Sequence, residues 1–225
     1  MSLFLLRHGE TEYSRQDRFC GNIDAELTGF GHEMARCFAE AHSTLLWQAI
    51  YTSTRERAIR TASPLATRTG ITIDPVPELD EIHYGDWQGR SKDEIAMADP
   101  DRYRRWLENP TIGAPGGESA FDVAKRALAL IDLIRARHDD GNVLIVGHKT
   151  VLRIAICLLT GMELRRYREL PQPVAALTIA DVRDGGPALR LLANNSYLPD
   201  HLRSDDTGQG AFARVHATAG QSQAA

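Results

Sequence analysis

Four short clusters in this 225-residue chain carry side chains able to handle an anionic ligand. The first is Arg7-His8-Gly9-Glu10-Thr11. Arginine offers a fixed fork of donors suited to phosphate. Histidine offers a ring nitrogen that can act as a nucleophile or a base. Glycine lets a ligand approach the backbone closely. The second cluster, Ser53-Thr54-Arg55-Glu56-Arg57-Ala58, puts arginines where a helix starts, and helix N-termini add exposed N–H groups for an anion. The third runs from Leu79 to Gly89 and holds acids, His83, aromatics and two glycines; one of its carboxyls is a candidate general acid. The fourth, Val146-Gly147-His148-Lys149-Thr150, repeats the opening design of apolar strand, glycine and histidine. Taken singly, each has an ordinary structural reading: a loop, solvated helix charges, a turn with surface acids, a structural histidine.

The elements that must position these residues follow from the hydrophobic pattern. Leu3 to Leu6 reads as a short buried strand, so His8 sits at its carboxyl end, where open α/β sheets bind ligands. Residues 10–27 are polar and read as a long loop. Thr28 can cap a helix with Phe30, Met34, Phe38, Ala41 and Leu45 at helical spacing. Residues 49–52 read as a second strand and 54–68 as a helix ending near Gly70. Residues 71–73 read as a brief strand, confined to a sheet edge by Pro75. Ser91 and Glu94 form a capping box, and Asp99-Pro100 starts another short helix. After Pro115-Gly116-Gly117, residues 119–138 read as a long helix with Phe121, Ala124, Leu128, Ile131 and Ile134 at helical spacing. Residues 143–146 read as the clearest buried strand, followed by a helix over 150–160. Residues 175–182 and 189–193 read as two final strands joined through Gly185-Gly186-Pro187. The polar, aperiodic stretch after residue 203 reads as a disordered tail over 204–225. The pattern predicts one α/β domain over 1–203, three-layered, with a mostly parallel sheet between helices.

Composition narrows the function classes. A hydrophobic share of 43% with 25% charged residues suits a soluble globular chain with a sizeable core. A net charge of −4 argues against a general nucleic-acid partner, while local basic clusters still suit a small anionic substrate. Cys20, Cys37 and Cys157 are sparse, odd in number and unpaired in spacing, which fits a reducing cytosol. No stretch approaches the ~20 apolar residues of a membrane helix. The clusters show no metal-ligand spacing. A cytoplasmic enzyme is the expectation, with oligomeric state open; a homodimer through an edge strand is one assembly the pattern allows.

Taken together and in order, the clusters resemble the histidine phosphatase superfamily, the phosphoglycerate mutase-like family. The resemblance rests on the Arg-His-Gly-Glu-Thr opening, Arg57-Ala58 with Thr61-Ala62, Glu81 with Gly85, Trp87 and Gly89, and Gly147-His148, and spans roughly residues 3–200. Asn194-Asn195-Ser196 and Leu198 resemble the family's closing strand and turn. The resemblance implies that His8 accepts the phosphoryl group as phosphohistidine. It implies that Arg7, Arg57 and a cationic His148 surround that group, and that Glu81 protonates the leaving oxygen and then activates water. No metal or cofactor is implied; the substrate is a small phosphomonoester.

Departures from the family pattern bear on specificity. Ser14 stands where the family often has Asn, ahead of Arg18, and can still donate to phosphate over a shorter reach. Cys20-Gly21 replaces a frequent Gln-Gly; the glycine suited to close backbone approach is kept, and Cys20 reads as a small filler. Lys149 follows His148 where small residues are common, suited either to a distal anion on the substrate or to local acids. Ile82 stands where the cofactor-dependent mutases carry arginine, and the chain is compact between its second helix and His148. Arg104-Arg105 resembles a mutase feature but equally suits a solvated helix face. Hydrolysis is therefore the expected activity, with phosphoglycerate mutation the alternative. The Arg102–Trp106 helix and Pro115-Gly116-Gly117-Glu118 are expected to build a lid.

Overall fold

The apolar run near the N-terminus forms β1 (Ser2–Arg7). Its side chains serve two cores, Leu3 and Leu5 on one face, Phe4 and Leu6 on the other. A strand buried on both faces is apolar at every position instead of alternating. The computed structural model describes residues 1–183 and 186–203; the expected tail and the turn at Gly185 lie outside the described residues.

After β1 come α1 (Glu12–Arg15), α2 (Gly29–His42), β2 (Trp47–Thr52), α3 (Glu56–Thr69) and β3 (Ile73–Pro75). Then follow α4 (Lys92–Ala98), α5 (Pro100–Glu108), α6 (Ala120–Arg137), β4 (Asn142–Gly147), α7 (Lys149–Thr160), β5 (Leu177–Arg183) and β6 (Gly186–Asn194). Among the described residues the strands form one sheet in the order β3-β2-β4-β1-β5-β6. β3, β2, β4 and β1 run parallel, whereas β5 and β6 are antiparallel to their neighbours. This is the expected α/β sheet between two helical layers. One core packs α6 and α7 against Leu3, Leu5, Val143 and Ile145. The other packs α2 and α3 against Phe4, Leu6, Ile50 and Val146.

The register explains why distant clusters meet. Arg7 pairs with Gly147 and Thr52 with Val146, so β1, β2 and β4 end level with one another. His8, Ser53 and His148 are each the residue after one of those strand ends.

Several expected elements sit differently. The expected loop over 10–27 contains α1, capped by a box in which Thr11 Oγ1 accepts from Ser14 N and Ser14 Oγ accepts from Thr11 N. A serine at the third helical position replaces the usual Glu or Gln, which is why the signal was weak. In α2 the buried stripe is Gly31, Met34, Ala35, Phe38 and Ala39, so Met34 and Phe38 are buried as expected, whereas Phe30 and Ala41 face solvent and Leu45 lies exposed beyond the helix end at His42. The helix is rotated because Gly31 must meet the backbone after His8: a Cβ on Gly9 would lie 2.5 Å from Gly31 O, and one on Gly31 would lie closer still to Glu10 O. In α6 the expected Ala124, Ile131 and Ile134 are buried, together with Ala120, Val123, Ala127 and Leu130, whereas the expected Phe121 and Leu128 are exposed. β3 begins two residues later than expected and carries Pro75 at the sheet edge, where no ladder donor is required of it.

Gly31→Ala should overpack this backbone contact and cost about 1–3 kcal/mol. A fall in the urea midpoint at unchanged slope is the expected reading; an unchanged midpoint would show that the contact yields freely.

Candidate active site

A cavity of about 520 Å³ opens at the carboxyl edge of the parallel strands. Its wall carries Arg7, Arg15, Arg18, Arg57, Lys92, Lys149, Arg153 and Arg168 against Glu10, Asp17 and Glu81. A chain of net charge −4 thus concentrates positive charge in its cleft, which favours an anionic ligand. Phe19, Tyr84, Tyr103, Trp106 and Tyr167 supply an aromatic side.

His8 lies on the cavity wall and is 5% exposed. Its Nδ1 lies 2.7 Å from Gly9 O. A carbonyl only accepts, so Nδ1 carries the proton and Nε2 keeps its lone pair, the form a nucleophile needs. Burial, then Arg57 and Arg7, hold its pKa well below the usual 6.5. Gly9 N donates to Thr61 Oγ1 at 2.9 Å, which explains the threonine of the Arg57-Ala58-x-x-Thr61-Ala62 pattern. Arg7 Nη1 donates to Gln172 O at 2.6 Å, fixing that guanidinium from the far side of β1.

Arg57 is 1% exposed and donates three ways: Nε to His148 Nδ1 at 3.1 Å, Nη1 to Ile23 O at 2.7 Å and Nη2 to Gly21 O at 2.9 Å. Because His148 Nδ1 accepts, its proton is on Nε2, 2.7 Å from Ser53 Oγ. Ser53 Oγ in turn donates to Asp80 Oδ1 at 2.6 Å. The chain of donors is consistent at every step and fixes the His148 tautomer. His148 therefore stands 5.1 Å from His8, ring to ring, but fully buried behind Arg57 and absent from the cavity wall. Burial, then Arg57, hold its pKa well below 6.5. The cation expected at His148 is here a neutral ring that positions Arg57.

Glu81 lies on the cavity wall. Its Oε1 accepts from Ile82 N at 2.9 Å and its Oε2 from Thr150 N at 3.2 Å, in the first turn of α7. That helix end favours a carboxylate. Tyr84 hydroxyl bonds Thr150 Oγ1 at 2.8 Å and backs the same corner.

The remaining expected residues divide. Ser14, Cys20 and Lys149 line the cavity. The Ser14 hydroxyl donates to Thr11 O at 2.9 Å, so it serves the α1 cap. Burial raises the Cys20 thiol pKa, which keeps it a poor nucleophile, as a filler should be. Gly21 does not reach the cavity wall. Its φ of +52° and its contact with the Gln88 side chain account for the glycine, and its carbonyl holds Arg57. Of the segments expected to build a lid, α5 contributes Tyr103 and Trp106 to the cavity wall. The 115–118 turn instead buttresses the Glu81 segment, with Glu118 N donating to His83 O and a Glu118 carboxylate accepting from His83 N. Arg104 pairs with Asp101 on an exposed face, so Arg104-Arg105 is the solvated face.

Sequence reasoning held Ser53, Asp80 and Thr150 within its clusters without assigning them a role, and missed Arg153 and Arg168. Arg153 carried a readable signal: it is a charge within the otherwise apolar run Val151 to Leu159, one turn after Lys149. Among the described residues no group of three or more His, Cys, Asp or Glu is arranged to hold a metal ion.

The model of the histidine phosphatase superfamily (branch 1) matches residues 3–195, and the chain belongs to that family. It is 32% identical over 222 residues to glucosyl-3-phosphoglycerate phosphatase of Mycolicibacterium vanbaalenii, covering 95% of this chain and 90% of the relative. It is 30% identical over 168 residues to phosphoserine phosphatase 1 of Hydrogenobacter thermophilus, covering 74% and 80%. Among solved structures, Bacillus stearothermophilus YhfR aligns with a TM-score of 0.81 at 33% identity, covering 87% of this chain and 98% of that one. A mycobacterial glucosyl-3-phosphoglycerate phosphatase aligns at 0.80 and 28% identity, covering 86% and 99%.

Two buried neutral histidines have a consequence for stability. Below pH 6.5 the unfolded chain binds protons that folded His8 and His148 refuse, so stability should fall as pH drops through that value. Urea unfolding between pH 7.5 and 5 measures this; a flat profile would mean that the two rings accept protons in place.

Proposed function

We propose that the protein is a metal-independent phosphomonoesterase acting on a small phosphorylated metabolite through a phosphohistidine at His8. The observation that carries this reading is the His8 tautomer. Its Nδ1–H is committed to Gly9 O, which leaves the Nε2 lone pair for the phosphorus between two arginines. Nε2 attacks phosphorus and the ester P–O bond breaks. Glu81 gives its proton to the leaving oxygen, a role worth ~10²–10⁴ in rate. Water then attacks the phosphohistidine, Glu81 takes its proton and the P–N bond breaks. Arg7 and Arg57 stabilise charge on the equatorial oxygens throughout, in fixed positions that need no reorganisation. His148, through its bond to Arg57 Nε, sets the angle of that guanidinium.

Hydrolysis is favoured over mutation by the phosphatase relatives and by the apolar Ile82, which is fully buried and offers no charge to a second anionic group. The relatives' substrates, a phosphorylated amino acid and a glycosylated phosphoglycerate, suggest phosphosugar- or phosphoglycerate-like esters. A cytoplasmic setting is supported by three cysteines left as free thiols.

The protein incubated with a ³²P-labelled phosphomonoester and quenched in alkali should carry an acid-labile label that His8→Ala abolishes. Label that survives this substitution would remove His8 from the chemistry. Glu81→Gln should lower kcat about 10²–10⁴-fold for esters of poorly leaving alcohols, and much less for p-nitrophenyl phosphate, whose leaving group needs no proton. Formation of 2-phosphoglycerate from 3-phosphoglycerate faster than phosphate release, with 2,3-bisphosphoglycerate present, would favour the mutase alternative.

A further inference from the structure

We infer that Arg168 is a specificity residue that binds a carboxylate on the leaving alcohol, so that the preferred substrates are phosphate esters of hydroxy acids. This rests on the phosphomonoesterase reading and assigns the half of the cavity that the phosphoryl chemistry does not use.

Arg168 lies in the 3₁₀ segment Leu164–Glu169, after α7, yet it is only 7% exposed and lines the cavity. Its guanidinium lies over the Trp106 ring at 3.9 Å and the Tyr167 ring at 4.4 Å. Trp106 is itself stacked on Tyr103. Two aromatic faces thus hold the guanidinium, an arrangement that restrains its rotamers before any ligand arrives. Its protein hydrogen bond is a long one, Nη1 to Leu107 O at 3.3 Å. Among the described residues it forms no ion pair, whereas the exposed arginines nearby, Arg165 and Arg166, pair with Glu163 and Glu169. A desolvated cation calls for an anion, and a guanidinium fork fits a planar carboxylate.

The place of Arg168 selects which part of the substrate it meets. Thr150 N donates to Glu81 Oε2 at 3.2 Å, the Tyr84 hydroxyl bonds Thr150 Oγ1 at 2.8 Å, and the Tyr84 ring lies 6.4 Å from the Trp106 ring that Arg168 covers. Glu81 is the group assigned to the leaving oxygen. Residues gathered on the Tyr84 and Trp106 side of Glu81 therefore face the alcohol rather than the phosphoryl group. A cavity of about 520 Å³ leaves room for that alcohol beyond a single phosphate.

Matched ester pairs test this: O-phosphoserine against O-phosphoethanolamine, and 3-phosphoglycerate against glycerol 3-phosphate, with p-nitrophenyl phosphate as the measure of phosphatase activity. The wild-type protein should prefer the carboxylated member by at least about tenfold in kcat/KM, the scale of one charged hydrogen-bonded contact. Arg168→Met, which keeps the stem over Trp106, should bring the ratio close to one, mainly by raising KM for the carboxylated ester; Arg168→Lys should fall between. A wild-type ratio near one, with p-nitrophenyl phosphate hydrolysed, overturns the carboxylate contact and leaves the phosphatase reading standing. So does a ratio that Arg168→Met leaves unchanged, which would make Arg168 a packing residue. A bisphosphorylated sugar preferred over both carboxylated esters would also overturn it. No hydrolysis of any ester, p-nitrophenyl phosphate included, removes the phosphatase reading and the inference with it. If Arg168→Met does not fold, the wild-type ratios decide.

Discussion

The guanidinium of Arg57 is the contact on which the rest of the centre depends. It is buried, it donates to two backbone carbonyls of the loop after α1, and it donates to His148 at the end of β4. One side chain from α3 therefore fixes the loop, the second histidine and the field around His8 together. The price is desolvation, which lowers its own pKa. A charge placed where water cannot screen it acts more strongly on any anion brought beside it. Asp80 completes the arrangement from the opposite side, accepting from Ser53 and from Thr54 N, so the end of β2 is held at both its neighbours.

Much of this was legible in the residues, because the sheet obeys a simple rule. Runs such as Leu3–Leu6 and Val143–Val146 are apolar without alternation, which marks strands buried on both faces, and the reactive residues follow them directly. What was not legible depended on the tertiary neighbour. The rotation of α2 is set by the meeting of Gly31 with Glu10, which no helical periodicity encodes. α6 buries Val123, Leu130, Ile131 and Ile134 with three alanines, so Phe121 and Leu128 fall on its outward side against the pattern. Gly21 was legible as a special position but not as a support for Arg57. Ser53 and Asp80 look like ordinary polar loop residues; only the alignment of strand ends makes them a relay to His148.

The two histidines illustrate how the same residue at the same kind of strand end acquires different work. His8 has one nitrogen committed to its neighbour's carbonyl, and lies on the cavity wall. His148 has both nitrogens committed and lies behind it. Burial and two arginines hold the pKa of both rings well below 6.5, so no separate base is needed to leave Nε2 of His8 unprotonated. Glu81 shares the cavity wall with His8 and is held by the backbone N–H groups of Ile82 and Thr150.

The strand order also governs how the chain emerges during synthesis. β1 is made first, yet its neighbours in the sheet are β4 and β5, which begin at Asn142 and Leu177. At synthesis rates of 5–20 residues per second, the run from Leu3 to Leu6 waits roughly 7–30 seconds before a partner strand exists. For that interval an apolar strand without ladder partners is exposed on the nascent chain, a state prone to mispairing. The Arg7-His8-Gly9 stretch that follows β1 is therefore among the last to be enclosed, and the cavity it lines comes into being only when the sheet closes around it.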